Sequence, residues 1–186
     1  MADILPIYGY GFAVLKRRAK AIELPDEEKA AFAESMFATM DASDGVGLAA
    51  PQVGVSERLF VIDSRAMIDE ESDEQGIRKA FFNPEILEES GEHVGYEEGC
   101  LSIPGIRENV ERHPVVRMRY QDALGKSHEE TFEGMTARVI QHEYDHIEGI
   151  LFIDRINPLR KRLIKKRLLK VSKGEFSTTY KIKYPR

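Results

Sequence analysis

The feature that most constrains this chain is the segment Gln141–His146, which contains the pattern H-E-x-x-H. On an α-helix, residues four positions apart share a face, so His142 and His146 can bind one metal ion together. Glu143 follows the first histidine and can act as a general base toward a metal-bound water. The pattern therefore predicts a metal-binding helix in this part of the chain.

A catalytic metal site needs a third protein ligand and one open position. A metzincin would supply a third histidine six residues after the second, but this chain has Phe152 there, which cannot bind metal. Upstream lies the only cysteine, Cys100, within Glu98-Gly99-Cys100-Leu101-Ser102. A lone cysteine is often a packed core residue, yet a thiolate is also a good ligand for Zn²⁺ or Fe²⁺. We expect Cys100 to be the third ligand.

A third segment, Gly45–Gln52, is rich in glycine and alanine, which allow another backbone to approach closely. The side-chain amide of Gln52 can donate a hydrogen bond to a developing oxyanion. Taken alone, the segment is more typical of a tight turn after a helix.

These three segments together resemble the polypeptide deformylase family, which carries G-x-G-L-A-A-x-Q, E-G-C-L-S and Q-H-E-x-D-H in this order. The resemblance extends from about residue 5 to about residue 170. It implies a metal-dependent amidohydrolase that removes the formyl group from the N-terminal formylmethionine of nascent bacterial proteins.

The resemblance also implies roles for individual residues. One divalent ion per chain, Fe²⁺ physiologically and replaceable by Zn²⁺, Ni²⁺ or Co²⁺, would be held by Cys100, His142 and His146. Glu143 would be the general base and then the general acid, and Gln52 would form the oxyanion hole with the backbone N–H of Leu101. Residues matching the methionine pocket are Val46, Tyr96, Met135 and Val139, and those near the peptide backbone are Gly47, Gly99 and Arg107.

Two pocket positions depart from the family pattern. Arg138 and Tyr96 stand where aliphatic residues are common, so we expect a more open or more polar pocket rim. Two other functions remain open at this point. An endopeptidase is disfavoured by Phe152, and a non-catalytic metal- or RNA-binding module is disfavoured by the presence of Glu143 and Gln52.

Local patterns predict the elements around the motifs. Pro25 would open a helix over residues 25–42, and further helices are predicted over 134–148 and 158–171. Strands are predicted at 59–62, at 81–87 with an irregularity at Asn83-Pro84, and as a hairpin over 115–132; residues 68–76 are a predicted surface loop. Strands in runs with separate helices predict an α+β fold, with mixed or antiparallel sheets packed around the H-E-x-x-H helix and helices near both ends. We expect one domain over residues 1–186, of which 158–186 form a basic helix and tail.

Composition limits the cellular setting. No apolar run reaches the ~20 residues that a membrane span needs, and a net charge of −5 does not favour DNA binding. We expect a cytoplasmic bacterial protein whose substrates are formyl-methionyl nascent peptides. Residues 155–173 nevertheless contain nine basic residues and no acid. They predict either a packed helix with a solvated basic face or a surface that docks on the ribosome.

Overall fold

The computed structural model describes residues 2–69 and 74–185. In these ranges the chain forms nine β-strands and four α-helices. In chain order they are β1 (Ile7–Tyr8), α1 (Glu27–Ala42), β2 (Gly47–Ala49), β3 (Leu59–Asp63), β4 (Arg78–Ser90), β5 (Val94–Cys100), β6 (Ile103–Arg112), β7 (Val115–Gln121), β8 (Ser127–Glu133), α2 (Gly134–Ile147), α3 (Phe152–Arg155), α4 (Pro158–Ser172) and β9 (Ile182–Lys183).

The strands form three sheets among the described residues. Five antiparallel strands lie in the order β2-β3-β4-β7-β8, β5 and β6 form a separate antiparallel pair, and β1 pairs in parallel with β9. The predicted irregularity in β4 is confirmed, because the register of β4 against β7 shifts between Phe82 and Glu85, and Asn83 has a φ of +48°. The α+β prediction is confirmed. Of the predicted loop, residues 70–73 lie outside the described part of the chain.

The central sheet is covered by a helix on each face, and the side chains of β3 pack against both helices. Phe60 and Ile62 belong to the same buried cluster as Val139 and Ile140 of α2. Leu59 and Val61, which point to the opposite face, belong to a cluster with Met36 and Met40 of α1. Successive strand residues alternate between faces. A continuous apolar strand thus lies between two helices, and α2 is held at the centre of the molecule.

One helix prediction needs correction in detail. Helix α1 begins at Glu27 rather than at Pro25, because Asp26 is its N-cap and accepts hydrogen bonds from the backbone N–H groups of Glu28 and Lys29. Helix α2 begins at the predicted residue 134 and is buried on nearly all sides, including Gln141 and Asp145. These polar side chains make hydrogen bonds to neighbouring elements, Gln141 to the carbonyl oxygen of His113 and Asp145 with Arg112.

The hairpin β5–β6 and the C-terminal elements form the other side of the molecule. A third buried cluster joins Ile106 and Val110 of β6 to Phe152 of α3 and to Leu168 of α4. Phe152, excluded above as a ligand, is 1% exposed in this cluster. The chain after α4 then packs Phe176 against Gly105 of the hairpin and returns to pair β9 with β1.

Candidate active site

The three predicted metal ligands come together from two elements. Cys100 is the last residue of β5, and His142 and His146 lie one turn apart on α2. Their ligand atoms all lie within 4.8 Å of one another, and Sγ of Cys100 is 3.3 Å from Nε2 of His146. One thiolate and two imidazoles form a donor set that suits Zn²⁺ or Fe²⁺ and leaves a coordination position open.

Glu98 orients His142. Its Oε2 lies 2.9 Å from Nδ1 of His142, which leaves the other ring nitrogen for an ion, as in many metal sites. Burial alone would lower the pKa of His142, but hydrogen bonds with Cys100 and Glu98 raise it well above its usual value. Burial lowers the pKa of His146, and the nearby His142 lowers it further.

Glu98 is itself part of a buried ionic network. Arg112 donates two hydrogen bonds to it, from Nε to Oε1 at 2.6 Å and from Nη2 to Oε2 at 2.9 Å. Its Nη1 also donates to Asp145 of α2 at 2.8 Å. Although burial opposes ionisation, the hydrogen bond from Arg112 holds the pKa of Glu98 well below its usual range. Arg138 donates to Glu98 as well and to the carbonyl oxygens of Val94 and Val110. Its guanidinium group is therefore fixed against the hairpin.

Glu143 directly follows His142 in the sequence, and its carboxylate is buried. It is 4% exposed, and its Oε2 has no hydrogen-bond partner among the residues that the structure describes. Burial raises the pKa of Glu143 to about 7. A bound cation would favour the ionised form. A carboxylate in this environment can accept and return a proton near neutral pH.

The Gly45–Gln52 segment brings backbone and amide groups to the same place. A Cβ atom at Gly47 would lie 2.4 Å from Oε1 of Glu143, so this approach requires glycine. Gln52 is 1% exposed, and its Oε1 accepts the backbone N–H of Ala49 at 2.8 Å. Its Nε2 therefore points to Sγ of Cys100 at 3.4 Å and to Oγ of Ser102 at 3.3 Å. The tight-turn alternative is partly correct, because residues 50–53 form a 3₁₀ turn directly after β2.

A cavity of about 670 Å³ opens onto these groups. It brings together most of the predicted residues, which line it as Val46, Gly47, Gln52, Tyr96, Gly99, Cys100, Leu101, Arg107, Val139, His142 and Glu143. Met135 is not among the described residues that line it. Met135 lies in the first turn of α2, and its backbone N–H donates a hydrogen bond to the side chain of Glu74. Met67, which the motifs do not include, lines the cavity together with Arg138.

Sequence reasoning missed two parts of the site. The motif around Cys100 included Glu98 but gave no hint of its contacts with Arg112 and Arg138, which come from other elements. The second part that the sequence did not predict is the C-terminal segment Ser177–Tyr180, which lines the cavity. No local pattern points to that segment, because its position depends on the two-residue pairing of β9 with β1.

Comparisons with known proteins agree with this geometry. A sequence model described as polypeptide deformylase matches residues 4–162, so Ser177–Tyr180 lies beyond the matched region. The chain is 50% identical to a peptide deformylase of Cytophaga hutchinsonii over 98% of both chains. It is 47% identical to one of Christiangramia forsetii over 98% of this chain and 96% of that protein.

Solved structures show the same fold. A crystal structure of a peptide deformylase from Thermotoga maritima matches with a TM-score of 0.75 and 44% identity, covering 84% of this chain and 99% of that one. A plant peptide deformylase structure matches with a TM-score of 0.83 and 35% identity, covering 92% and 90%.

Proposed function

Because this chain belongs to the polypeptide deformylase family of metal-dependent hydrolases, which remove N-formyl groups from nascent peptides, we propose that it performs this reaction with Glu143 as its proton carrier. The observation that carries the proposal is the buried Glu143 carboxylate beside a cluster of Cys100, His142 and His146 at the end of a cavity. A carboxylate with a purely structural role and 4% exposure would have hydrogen-bond partners for both oxygens, whereas Oε2 of Glu143 has none among the described residues.

Cys100, His142 and His146 would hold one divalent ion, and we propose Fe²⁺, with Zn²⁺, Ni²⁺ or Co²⁺ as replacements. When bound, the ion supplies a Lewis acid and lowers the pKa of water. The chain's own contribution is the fixed orientation of the ligands. Glu98 holds His142 through Nδ1, and Arg112 in turn holds Glu98.

Glu143 would move the proton in both halves of the reaction. It accepts a proton from the attacking water and returns it to the amine nitrogen as the formyl C–N bond breaks, which releases formate and a free N-terminus. The Nε2 group of Gln52 and the backbone N–H of Leu101 would stabilise the negative charge on the formyl oxygen. The fixed Ala49–Gln52 hydrogen bond keeps that amide in the donating orientation.

The cavity walls would position the formylmethionine residue. Val46, Tyr96 and Val139 would contact the methionine side chain, and Gly47, Gly99 and Arg107 would face the peptide backbone. We assign Met67, rather than Met135, to the wall, because it lines the cavity. A cradle that has no room for a Cβ at Gly47 would also reject an acetyl group in place of formyl, and comparable turnover of an acetylated peptide would contradict this.

The direct test replaces the proton carrier. Glu143→Ala should bind Zn²⁺ with the wild-type stoichiometry, because no ligand is removed, yet it should release formate from a formyl-Met-Ala peptide at least about 10²-fold more slowly. Glu34→Ala, which removes an exposed carboxylate of α1 that does not line the cavity, is the matched control and should retain metal and activity to within a few-fold. Wild-type formate release by Glu143→Ala would overturn the proposed role.

We also propose that the basic face of α4 contacts the ribosome in the bacterial cytoplasm, where the nascent substrate emerges. Helix α4 packs through Ile164 and Leu168, while Lys165 and Lys166 are exposed. Phosphate binding is electrostatic and weakens with salt. No described helix is long and apolar enough to cross a membrane.

This partner is tested by charge reversal on α4, because a truncation would also remove residues that line the cavity. The double variant Lys165→Glu/Lys166→Glu should co-sediment with ribosomes less than wild type at low salt, with unchanged formate release from a short peptide. Arg17→Glu/Lys126→Glu reverses two exposed charges elsewhere and serves as the control. Equal co-sedimentation of all three proteins would refute the proposal.

A further inference from the structure

The C-terminal segment Ser177–Tyr180 lines the cavity, and Tyr180 contacts Leu101 in the turn after β5. It lies beyond residues 4–162, which the family model matches, although the relatives named above align with 98% of this chain. The family model therefore assigns this segment no role. The cavity volume of about 670 Å³ is that of a site for a drug-sized ligand, which leaves room for more than one amino acid residue.

The segment is held in place at both ends. The hydroxyl of Tyr180 donates a hydrogen bond to the carbonyl oxygen of Leu101 at 2.8 Å. Burial raises the pKa of Tyr180, so this hydroxyl remains a donor at neutral pH. Before the segment, Phe176 packs over Gly105, where a Cβ atom would lie 2.6 Å from the ring. After it, β9 pairs with β1. The segment is therefore a fixed wall.

The chemistry of this wall suits a peptide of variable sequence. Its side chains are Ser177, Thr178, Thr179 and Tyr180, all of which carry a hydroxyl and none of which is charged at neutral pH. Thr178 donates to the carbonyl oxygen of Tyr180 at 2.8 Å and braces the segment, while Ser177 and Thr179 are exposed. A hydroxyl both donates and accepts hydrogen bonds, so it can pair with either backbone group of a peptide without selecting its side chains.

We propose that Ser177–Tyr180 binds the backbone of the substrate residues that follow formylmethionine. This inference rests on the proposed function, because it assigns the wall to the same substrate. The formylmethionine residue would occupy the part of the cavity near Val46, Val139 and Glu143, and the chain that follows would pass along the hydroxyl wall.

A series of peptide lengths tests the wall. The variant Ser177→Ala/Thr179→Val removes the two exposed hydroxyls and should lower kcat/KM about three- to tenfold on formyl-Met-Ala-Ala-Ala, the loss expected for one or two hydrogen bonds. It should leave kcat/KM on formyl-Met-Ala within about twofold of wild type. Ser127→Ala/Thr131→Val makes the same changes at exposed positions of β8 and should match wild type on both peptides.

The outcomes separate the two proposals. Equal losses on the short and long peptides, or no loss on either, would overturn the wall as a binding site for the following residues. Absence of formate release by the wild-type protein from any formyl-methionyl peptide would instead overturn the proposed function.

A charge introduced into the wall gives a test that does not depend on loss of activity. Thr179→Lys should favour formyl-Met-Ala-Glu-Glu over formyl-Met-Ala-Lys-Lys by about two- to fivefold relative to wild type, and Thr179→Glu should show the opposite preference. The same two substitutions at Thr131 should leave the preference unchanged. If Thr179→Lys and Thr179→Glu retain the wild-type preference, the following residues do not pass along the wall.

Discussion

At the scale of single residues, Glu98 connects the proposed metal ligand His142 to the rest of the protein. One oxygen contacts Nδ1 of His142 and Arg112, and the other contacts Arg112 and Arg138. Its side chain is 5% exposed, and that of Arg112 is 2% exposed. Buried charges are costly unless each is paired and hydrogen-bonded, so the position of His142 depends on the completeness of this set.

Glu98→Gln should therefore weaken both metal binding and folding. The amide removes the negative charge that faces two buried guanidinium groups, and we expect about 3 kcal/mol lower stability. Zn²⁺ affinity, measured by competition with a chelator, should fall about 10- to 100-fold, as for other partners of metal-binding histidines. Glu97→Gln, on the same strand with an exposed side chain, should change neither quantity appreciably. An unchanged Zn²⁺ affinity in Glu98→Gln would show that Glu98 does not orient His142.

At the scale of elements, some were predictable from the sequence and others were not. Helix α2 was predicted because the spacing of His142 and His146 has meaning only on a helix, and β3 because its apolar run is continuous. Strands β5 and β6 were not predicted, since Val94–Glu97 are exposed and β5 has little apolar alternation of its own. This strand forms through pairing with β6, which depends on long-range contacts.

Helix α4 illustrates the same distinction for the C-terminal elements. Its apolar stripe predicted a packed helix, and Ile164, Leu168 and Val171 are buried in the cluster that includes β6 and α3. The site segment that follows could not be predicted, because nothing in Ser177–Tyr180 itself indicates a neighbour. We propose that α4 and the elements before it unfold as one domain.

This proposal predicts different effects for two leucines of α4. Leu168 is 4% exposed and Leu163 is 64% exposed, so Leu168→Ala leaves a cavity whereas Leu163→Ala does not. We expect Leu168→Ala to lower the free energy of global unfolding by about 2–4 kcal/mol in urea, and Leu163→Ala by less than about 1 kcal/mol. If Leu168→Ala produced a separate early transition with the main midpoint unchanged, α4 would be an independent appendage.

At the scale of the whole molecule, ion pairs connect elements that are distant in the sequence. Asp63 at the end of β3 accepts from Arg65 and from Arg78 of β4, and Arg78 also contacts Asp41 of α1. Hydrogen bonds from Arg65 and Arg78 lower the pKa of Asp63 far below its usual value, although burial opposes this. Near α3, burial works against ionisation of Asp154, but hydrogen bonds from Lys16 and Lys161 lower its pKa. Both carboxylates therefore stabilise the fold only while ionised.

The sign of the resulting pH dependence follows from these lowered pKa values. Near and below the unfolded-state pKa of about 4, Asp63 binds a proton in the unfolded chain but not in the folded one. The contribution of Asp63 to the free energy of unfolding is therefore complete at pH 7 and is lost as the pH falls. Asp63→Asn removes this contribution. Urea unfolding at pH 7 should show Asp63→Asn less stable than wild type by about 1 kcal/mol, and the difference should shrink steadily between pH 5 and pH 3. Glu34→Gln, an exposed carboxylate of α1, controls for the change in net charge. A difference between wild type and Asp63→Asn that stays constant over this range would mean that Asp63 does not stabilise the fold through its charge.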